Sequence, residues 1–198
     1  MISAIVLAAG ESKRMGAENK LLLPFRDKTL IESIVDNVLA SEVHEVILVL
    51  GHEADRIRKA LQNRHIRFVN NTDFRNGMTT SIQAGINAIS SLSDGIMICL
   101  SDLPFIQSEE MNELIHSFEN AIQRNKKQIV LPTFQGQRGN PVIFSMLYKA
   151  EILEHQGANG CKGVIRQNQS QVLEIEMSTA NVLKDIDTKD DYAALVRN

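Results

Sequence analysis

Ser3-Ala4-Ile5-Val6-Leu7-Ala8-Ala9-Gly10-Glu11-Ser12-Lys13-Arg14-Met15-Gly16 passes from an apolar run into glycine and then into charge. Ile5-Val6-Leu7 is continuously apolar rather than alternating, which is the pattern of a strand covered on both faces. Ile96-Met97-Ile98 repeats it. Runs of strand length follow at 3–8, 45–50, 67–69, 95–100, 128–132, 142–144 and 172–175, bounded by Gly, Asn, Asp or Pro. Helical spacing fills the gaps. Thr29 with Glu32 reads as a capping box opening a helix over 30–40, whose Ile31, Ile34, Val35, Val38 and Leu39 share one face. Helices are also expected over 53–62, 79–90, 108–124 and 189–196. Strand and helix in alternation imply right-handed crossovers, hence a three-layer α/β fold: a mainly parallel, Rossmann-like sheet with helices on both faces. The stretch 131–144, with Gly136, Gly139 and Pro141, breaks the rhythm and predicts a short antiparallel excursion. In such sheets ligands bind beyond the carboxyl ends of the strands.

Composition excludes several classes. The 198 residues suggest a single domain over 1–198. A net charge of -3 gives no basic excess for nucleic acid or an anionic membrane. No apolar run reaches membrane-spanning length. Residues 2–9 lack a basic leader and read as a strand, not a signal peptide. Cys99 and Cys161, the only cysteines, make no C-x-x-C pair, which excludes a disulfide scaffold or cysteine zinc site and suggests a reducing cytoplasm. The five histidines have no ligand spacing.

Four segments at strand ends carry chemistry. After the first run, the small residues Leu7-Ala8-Ala9-Gly10 let backbone approach a ligand, and Gly10 is free to take unusual dihedrals. Successive N–H groups there form an anion nest. Lys13, Arg14 and Lys20 add cations suited to a polyphosphate. The spacing fits neither a Walker loop nor the dinucleotide fingerprint. Asp102, in Ser101-Asp102-Leu103-Pro104, is placed to bind Mg²⁺, though it equally reads as a turn residue before proline. In Asn76-Gly77-Met78-Thr79-Thr80-Ser81, a turn leads to a helix that Thr79 or Thr80 is placed to cap. In Arg138-Gly139-Asn140-Pro141, Arg138 can meet a phosphate.

Leu7–Gly10 followed by Ser12-x-Arg14-Met15-Gly16 and Lys20 resembles the signature of the MobA-like nucleotidyltransferases of molybdenum-cofactor biosynthesis, including members associated with purine catabolism and xanthine dehydrogenase. The likeness runs from Leu7 to Asp191. It implies a nucleotidyltransferase in which Leu7, Ala8, Ala9, Gly10, Ser12, Gly77 and Ser81 hold the nucleotide. It further implies that Arg14, Lys20 and Asp102 are catalytic, and that Arg138, Asn140 and Lys162 border the acceptor. Asp102 would bind Mg²⁺, completed by Asp187 in the D-I-D-T-like segment 185–188, with Asp185 in reserve. Asp187 equally reads as an acid favouring the dipole of a helix capped by Thr188.

Ala9, where the guanylyl branch more often has glycine, resembles the cytidylyl branch. That implies CTP and a molybdopterin-type phosphate acceptor as substrates and a molybdenum hydroxylase apoenzyme as recipient. The alternatives are guanylyl transfer, a sugar-phosphate-type transferase and a non-catalytic cofactor carrier. Three departures from the family pattern stand out: Ser101 for glycine, Ala158 for an acid and Lys162 for arginine.

Overall fold

The computed structural model describes residues 1–15 and 18–196. Strand β1 (Ile2–Ala8) is buried along its whole length and sits between two parallel neighbours, Glu45–Leu50 and Gly95–Leu100. The chain continues through β2 (Pro24–Phe25) and β3 (Lys28–Thr29) to α1 (Leu30–Ala40), β4 (Glu45–Leu50), α2 (Ala54–Ala60), β5 (Arg67–Asn70), α3 (Met78–Asn87) and β6 (Gly95–Leu100). Then come α4 (Ser108–Arg124), β7 (Ile129–Phe134), β8 (Gln137–Arg138), β9 (Val142–Ser145), α5 (Lys149–Glu154), α6 (Lys162–Gln167), β10 (Val172–Glu176) and α7 (Lys189–Val196).

The main sheet runs β10-β7-β9-β6-β1-β4-β5, with β8 paired to β7. The expected antiparallel excursion is β9, which runs against both β6 and β7, together with the β7–β8 pair. Alternate residues of β1 feed two cores. Ala4, Val6 and Ala8 pack with α1, α2 and α4, whereas Ile5 and Leu7 pack with Ile82 and Ile86 of α3, Ile152 of α5 and Val164 of α6. The sheet is thus covered on both faces.

The connections fix where a ligand can go. From β1 the chain steps to β4 and β5 along one side of the sheet, with α1 and α2 on one face. It then returns through α3, on the other face, to β6 on the far side of β1. The direction of winding reverses between β1 and β6, and the crevice at a topological switch point opens beyond their carboxyl ends.

Several boundaries differ from expectation. The 128–132 run extends through Pro132 to Phe134, because the β9 ladder ends at Val130 and misses no donor at the proline. Thr79 and Thr80 do not cap α3. Gly77 stands at its N-cap (φ 110°), and both threonines lie inside the helix. The β2–β3 hairpin and the short helices α5 and α6 carry too few residues for periodicity to reveal them.

One packing contact yields a stability test. Gly85 lets α3 lie directly on the sheet: a Cβ there falls 2.5 Å from Ile5 Cγ2 and 3.1 Å from Val49 Cγ2, both fully buried residues with no room to move. Gly85→Val is expected to lower stability by about 2–3 kcal/mol through overpacking, read as a shift of the urea midpoint. An unchanged midpoint shows that α3 can lift off the sheet at little cost.

Candidate active site

A cleft of about 420 Å³ opens at that switch point. Its wall on the β1 side is the segment after Ala8. Ala9 and Gly10 line it, and Gly10 has open space where a Cβ would stand, with no atom of the described residues beyond its chain neighbours within 4 Å. Packing therefore makes no demand for glycine at this position. The left-handed residue of the loop is Ser12 (φ 50°), not Gly10, and the Ser12 carbonyl accepts from Met15 N–H at 2.8 Å to start a single helical turn over 13–15. That turn carries Arg14. Gly16 lies outside the described residues, as does the Lys13 side chain.

Lys20 is aimed by a second short turn. The Asn19 carboxamide accepts from Leu21 N–H at 3.1 Å and caps the turn over 20–22, whose buried Leu21 anchors it. The Lys20 ammonium donates to Asp102 Oδ2 at 3.2 Å, Asp187 Oδ1 at 2.9 Å and the Ile186 carbonyl at 2.9 Å. Arg14 Nη2 lies 2.7 Å from Asp187 Oδ2. Three distant stretches of chain meet here.

Asp102 follows β6, as the strand–turn reading expects. Ser101 is buried and donates to the Leu7 carbonyl at 2.6 Å, so in place of glycine it ties the end of β6 to the end of β1. Asp187 arrives from the C-terminal segment. Ile186 is buried with Phe25 and Leu30, and its N–H donates to the Asp102 carbonyl at 2.8 Å. Thr188 caps α7, accepting from Asp191 N–H at 3.2 Å and donating to the Asp191 carboxylate at 2.7 Å. The capping acid is thus Asp191, and Asp187 faces the cleft instead.

Electrostatics separates the two candidate acids of this segment. Burial opposes the charge on Asp187, but Lys20 and Arg14 outweigh it and hold its carboxyl below the usual range. Asp185 is pushed the other way, by partial desolvation and by the neighbouring Asp187 and Asp102 carboxylates. Asp187 lines the cleft; Asp185 does not.

The opposite wall is the start of α3, where Gly77, Met78 and Ser81 line the cleft. Met78 N–H donates to the Ala158 carbonyl at 3.1 Å, and the Thr79 hydroxyl bonds the Gly157 carbonyl and accepts from Gly160 N–H at 3.1 Å. The segment 157–160, where this chain departs from the family pattern, therefore seals the α3 terminus beside the cleft. Glu11 and Arg75 face each other across the rim, 3.3 Å apart. Phe74 and Arg75 were not singled out by sequence, and Glu11 and Met78 stood there only as members of their segments; the aromatic-basic pair before Asn76-Gly77 is the one signal that could have pointed to this wall.

Of the expected residues, Leu7, Ala9, Gly10, Ser12, Gly77 and Ser81 come together on the cleft with Arg14, Lys20, Asp102 and Asp187. Ala8 does not line it; its side chain is in the core beneath. Arg138 is turned to the sheet edge, paired with Glu174 at 2.6 Å and bonded to Gln169 at 2.8 Å. Asn140 donates its N–H to Val182 at 3.1 Å and precedes a cis bond to Pro141. Lys162 is exposed at the start of α6. None of these three lines the cleft.

The donor set suits a hard divalent cation. Among the described residues Asp102 Oδ1 is buried with no hydrogen-bond partner, and Asp102 and Asp187 both contact the Lys20 ammonium. Among the described residues no group of three or more acids, histidines or cysteines is placed to hold a metal ion. Two carboxylates, with substrate phosphate and water for the remainder, are what Mg²⁺ takes.

Two cations and two carboxylates gathered at the switch point of a doubly wound sheet, beside the Ala9–Gly10 wall, suit a transferase that handles a polyphosphate. The MobA-like NTP transferase domain model matches residues 4–172, and the chain belongs to that family of nucleotidyltransferases. It is 25% identical to the molybdenum cofactor cytidylyltransferase of Escherichia coli K12, over 96% of this chain and 93% of the relative. It is 32% identical to a probable molybdenum cofactor guanylyltransferase of Methanosarcina acetivorans, over 77% of this chain and 66% of the relative. It is also 29% identical to the nicotine blue oxidoreductase of Paenarthrobacter nicotinovorans, over 94% and 92%. The crystal structure of Rv0371c from Mycobacterium tuberculosis superposes with a TM-score of 0.86 at 25% identity, covering 100% of this chain and 98% of that one.

Proposed function

We propose that this protein, as one domain spanning 1–198, transfers CMP from CTP to the phosphate of molybdenum-bound molybdopterin and releases pyrophosphate. The product would serve a molybdenum hydroxylase, such as a purine-oxidising one, in the cytoplasm. The observation that carries the reading is the convergence of Arg14, Lys20, Asp102 and Asp187 on one cleft beside Gly10. The cytidylyltransferase name of the Escherichia coli relative and the absence of any helix, among the described residues, long and apolar enough to cross a membrane are in keeping with it.

An acceptor phosphate oxygen attacks the α-phosphorus, and the bond from the α-phosphorus to the α,β-bridging oxygen breaks. The acceptor is already an anionic nucleophile, so positioning and charge stabilisation are the main tasks. The N–H groups near Ala9 and Gly10 hold the phosphates without a side chain in the way. Arg14 steadies the β- and γ-phosphates as negative charge builds on the leaving group. Lys20 neutralises the α-phosphate in the transition state. Asp102 and Asp187 would hold Mg²⁺, which supplies Lewis-acid polarisation when bound. The acceptor roles expected of Arg138, Asn140 and Lys162 gain no support from the cleft lining, and no step above uses them.

Ala9 supports the choice of pyrimidine. It lines the cleft wall, and its carbonyl is fixed by His52 N–H at 3.1 Å, so a methyl group here would narrow a rigid surface. Pyrophosphate release is expected with CTP in preference to GTP. Ala9→Gly should raise the GTP-to-CTP ratio of kcat/KM about tenfold, the scale of one methyl group in a pocket. A ratio that does not move places base discrimination elsewhere. Equal rates with CTP and GTP in the wild type transfer the reading to the guanylyl branch. Redox turnover without pyrophosphate release would instead favour the activity named for the Paenarthrobacter relative.

A further inference from the structure

We propose that Lys20 acts as a built-in cation of the resting site, and that a divalent cation gains Asp102 and Asp187 only when Lys20 leaves them. This rests on the transferase reading only for what draws Lys20 away.

The Lys20 ammonium sits among three oxygens at 2.9–3.2 Å, two of them from carboxylates and one a carbonyl. Those contacts use all three of its N–H donors. They are also the oxygen-only donor class that a hard divalent cation prefers. The lysine side chain is only 13% exposed, so this is a held charge and not a solvated surface one. Arg14 binds the other Asp187 oxygen at 2.7 Å, so the acids face two positive charges already.

Mg²⁺ draws its oxygens in to about 2.1 Å. That leaves no room for an ammonium in the same gap, and the like charges repel strongly at such range. The free protein therefore has poor affinity for the ion. A triphosphate offers Lys20 and Arg14 denser anionic partners, which releases both carboxylates. The consequence is an order of assembly: the nucleotide comes first or brings the cation with it. Lys20 serves twice, first as the counter-ion that holds Asp102 beside Asp187, then as a phosphate ligand.

The test uses Mn²⁺, a carboxylate-binding ion whose free form is read by electron paramagnetic resonance. Without nucleotide, Lys20→Met is expected to bind Mn²⁺ at least about tenfold more tightly than the wild type. Lys20→Arg, which keeps the charge, stays near wild type. The gain disappears in Lys20→Met with Asp102→Asn, which locates the ion. In the wild type, Mn²⁺ raised to the concentration at which the same resonance titration shows the ion bound should raise acetylation of the Lys20 amine by an acylating reagent, read by mass spectrometry. Equal Mn²⁺ affinity in wild type and Lys20→Met overturns the proposal, as does a gain that survives Asp102→Asn. Lys20 labelling unmoved by Mn²⁺ also overturns it, and decides alone if Lys20→Met fails to fold. Nucleotide binding is read separately by thermal shift with CTP and GTP. No shift there defeats the transferase reading and leaves the cation exchange standing.

Discussion

Asp102→Asn is expected to lower the rate of pyrophosphate release on the order of 10³-fold, the scale of removing one preorganised electrostatic group from a reacting centre. The substitution keeps shape and removes charge. Its structural cost is small for identifiable reasons. The Asp102 carbonyl still accepts Ile186 N–H, and Lys20 still has Asp187 and the Ile186 carbonyl. The melting temperature by circular dichroism should therefore stay within a few degrees, about 1 kcal/mol. What is lost is the buried, unpartnered Oδ1 and half of the paired charge facing the cleft. Raising Mg²⁺ should recover part of the rate, because the defect is in holding the ion. A variant as active as wild type removes Asp102 from the chemistry and returns it to a turn residue before Pro104.

The parts of this site that sequence made legible are those where chemistry lies next to a strong fold signal. Residues 3–10 pair an unmistakable buried strand with a glycine exit, so the first strand and the cleft wall beyond it were legible together. The box formed by Thr29 and Glu32 is present, with Thr29 N–H donating to Glu32 at 2.9 Å. Asp102 was legible because it follows an apolar run directly.

What escaped was contact at long range. Nothing in the sequence shows that Ile186 inserts beside Phe25 and Leu30, yet that contact delivers Asp187 to Asp102. Nor does it show that 157–160 covers the start of α3, which is why the threonine caps expected there are absent. Arg138 looked like a phosphate ligand because cations after strands often are. β10, three strands from β6 in the sheet and far along the chain, supplies Glu174 and takes the arginine outward. Spacing encodes the local period of a strand or helix; it does not encode which charge from another strand arrives first.

Lys20→Ala is expected to cut kcat about 10²–10³-fold while changing the apparent affinity for nucleotide only a few-fold. The asymmetry follows from when the interaction strengthens. In the resting site the ammonium already has three oxygen partners, so moving to the ground-state triphosphate exchanges one set of anions for another and gains little. In the transition state, negative charge on the oxygens of the α-phosphorus grows, and the lysine's interaction strengthens beyond the one it makes with the ground-state triphosphate. Interactions made stronger in the transition state raise kcat, whereas uniform ones lower KM. Arg14 provides the contrast. Its side chain is 68% exposed and is paired with Asp187, so Arg14→Ala should weaken triphosphate binding more visibly and kcat less than Lys20→Ala does. Single-turnover measurements with saturating nucleotide separate the two effects. A Lys20→Ala enzyme whose loss lies wholly in affinity makes the lysine a ground-state phosphate anchor, and leaves charge neutralisation at the α-phosphorus to Arg14 and the bound cation.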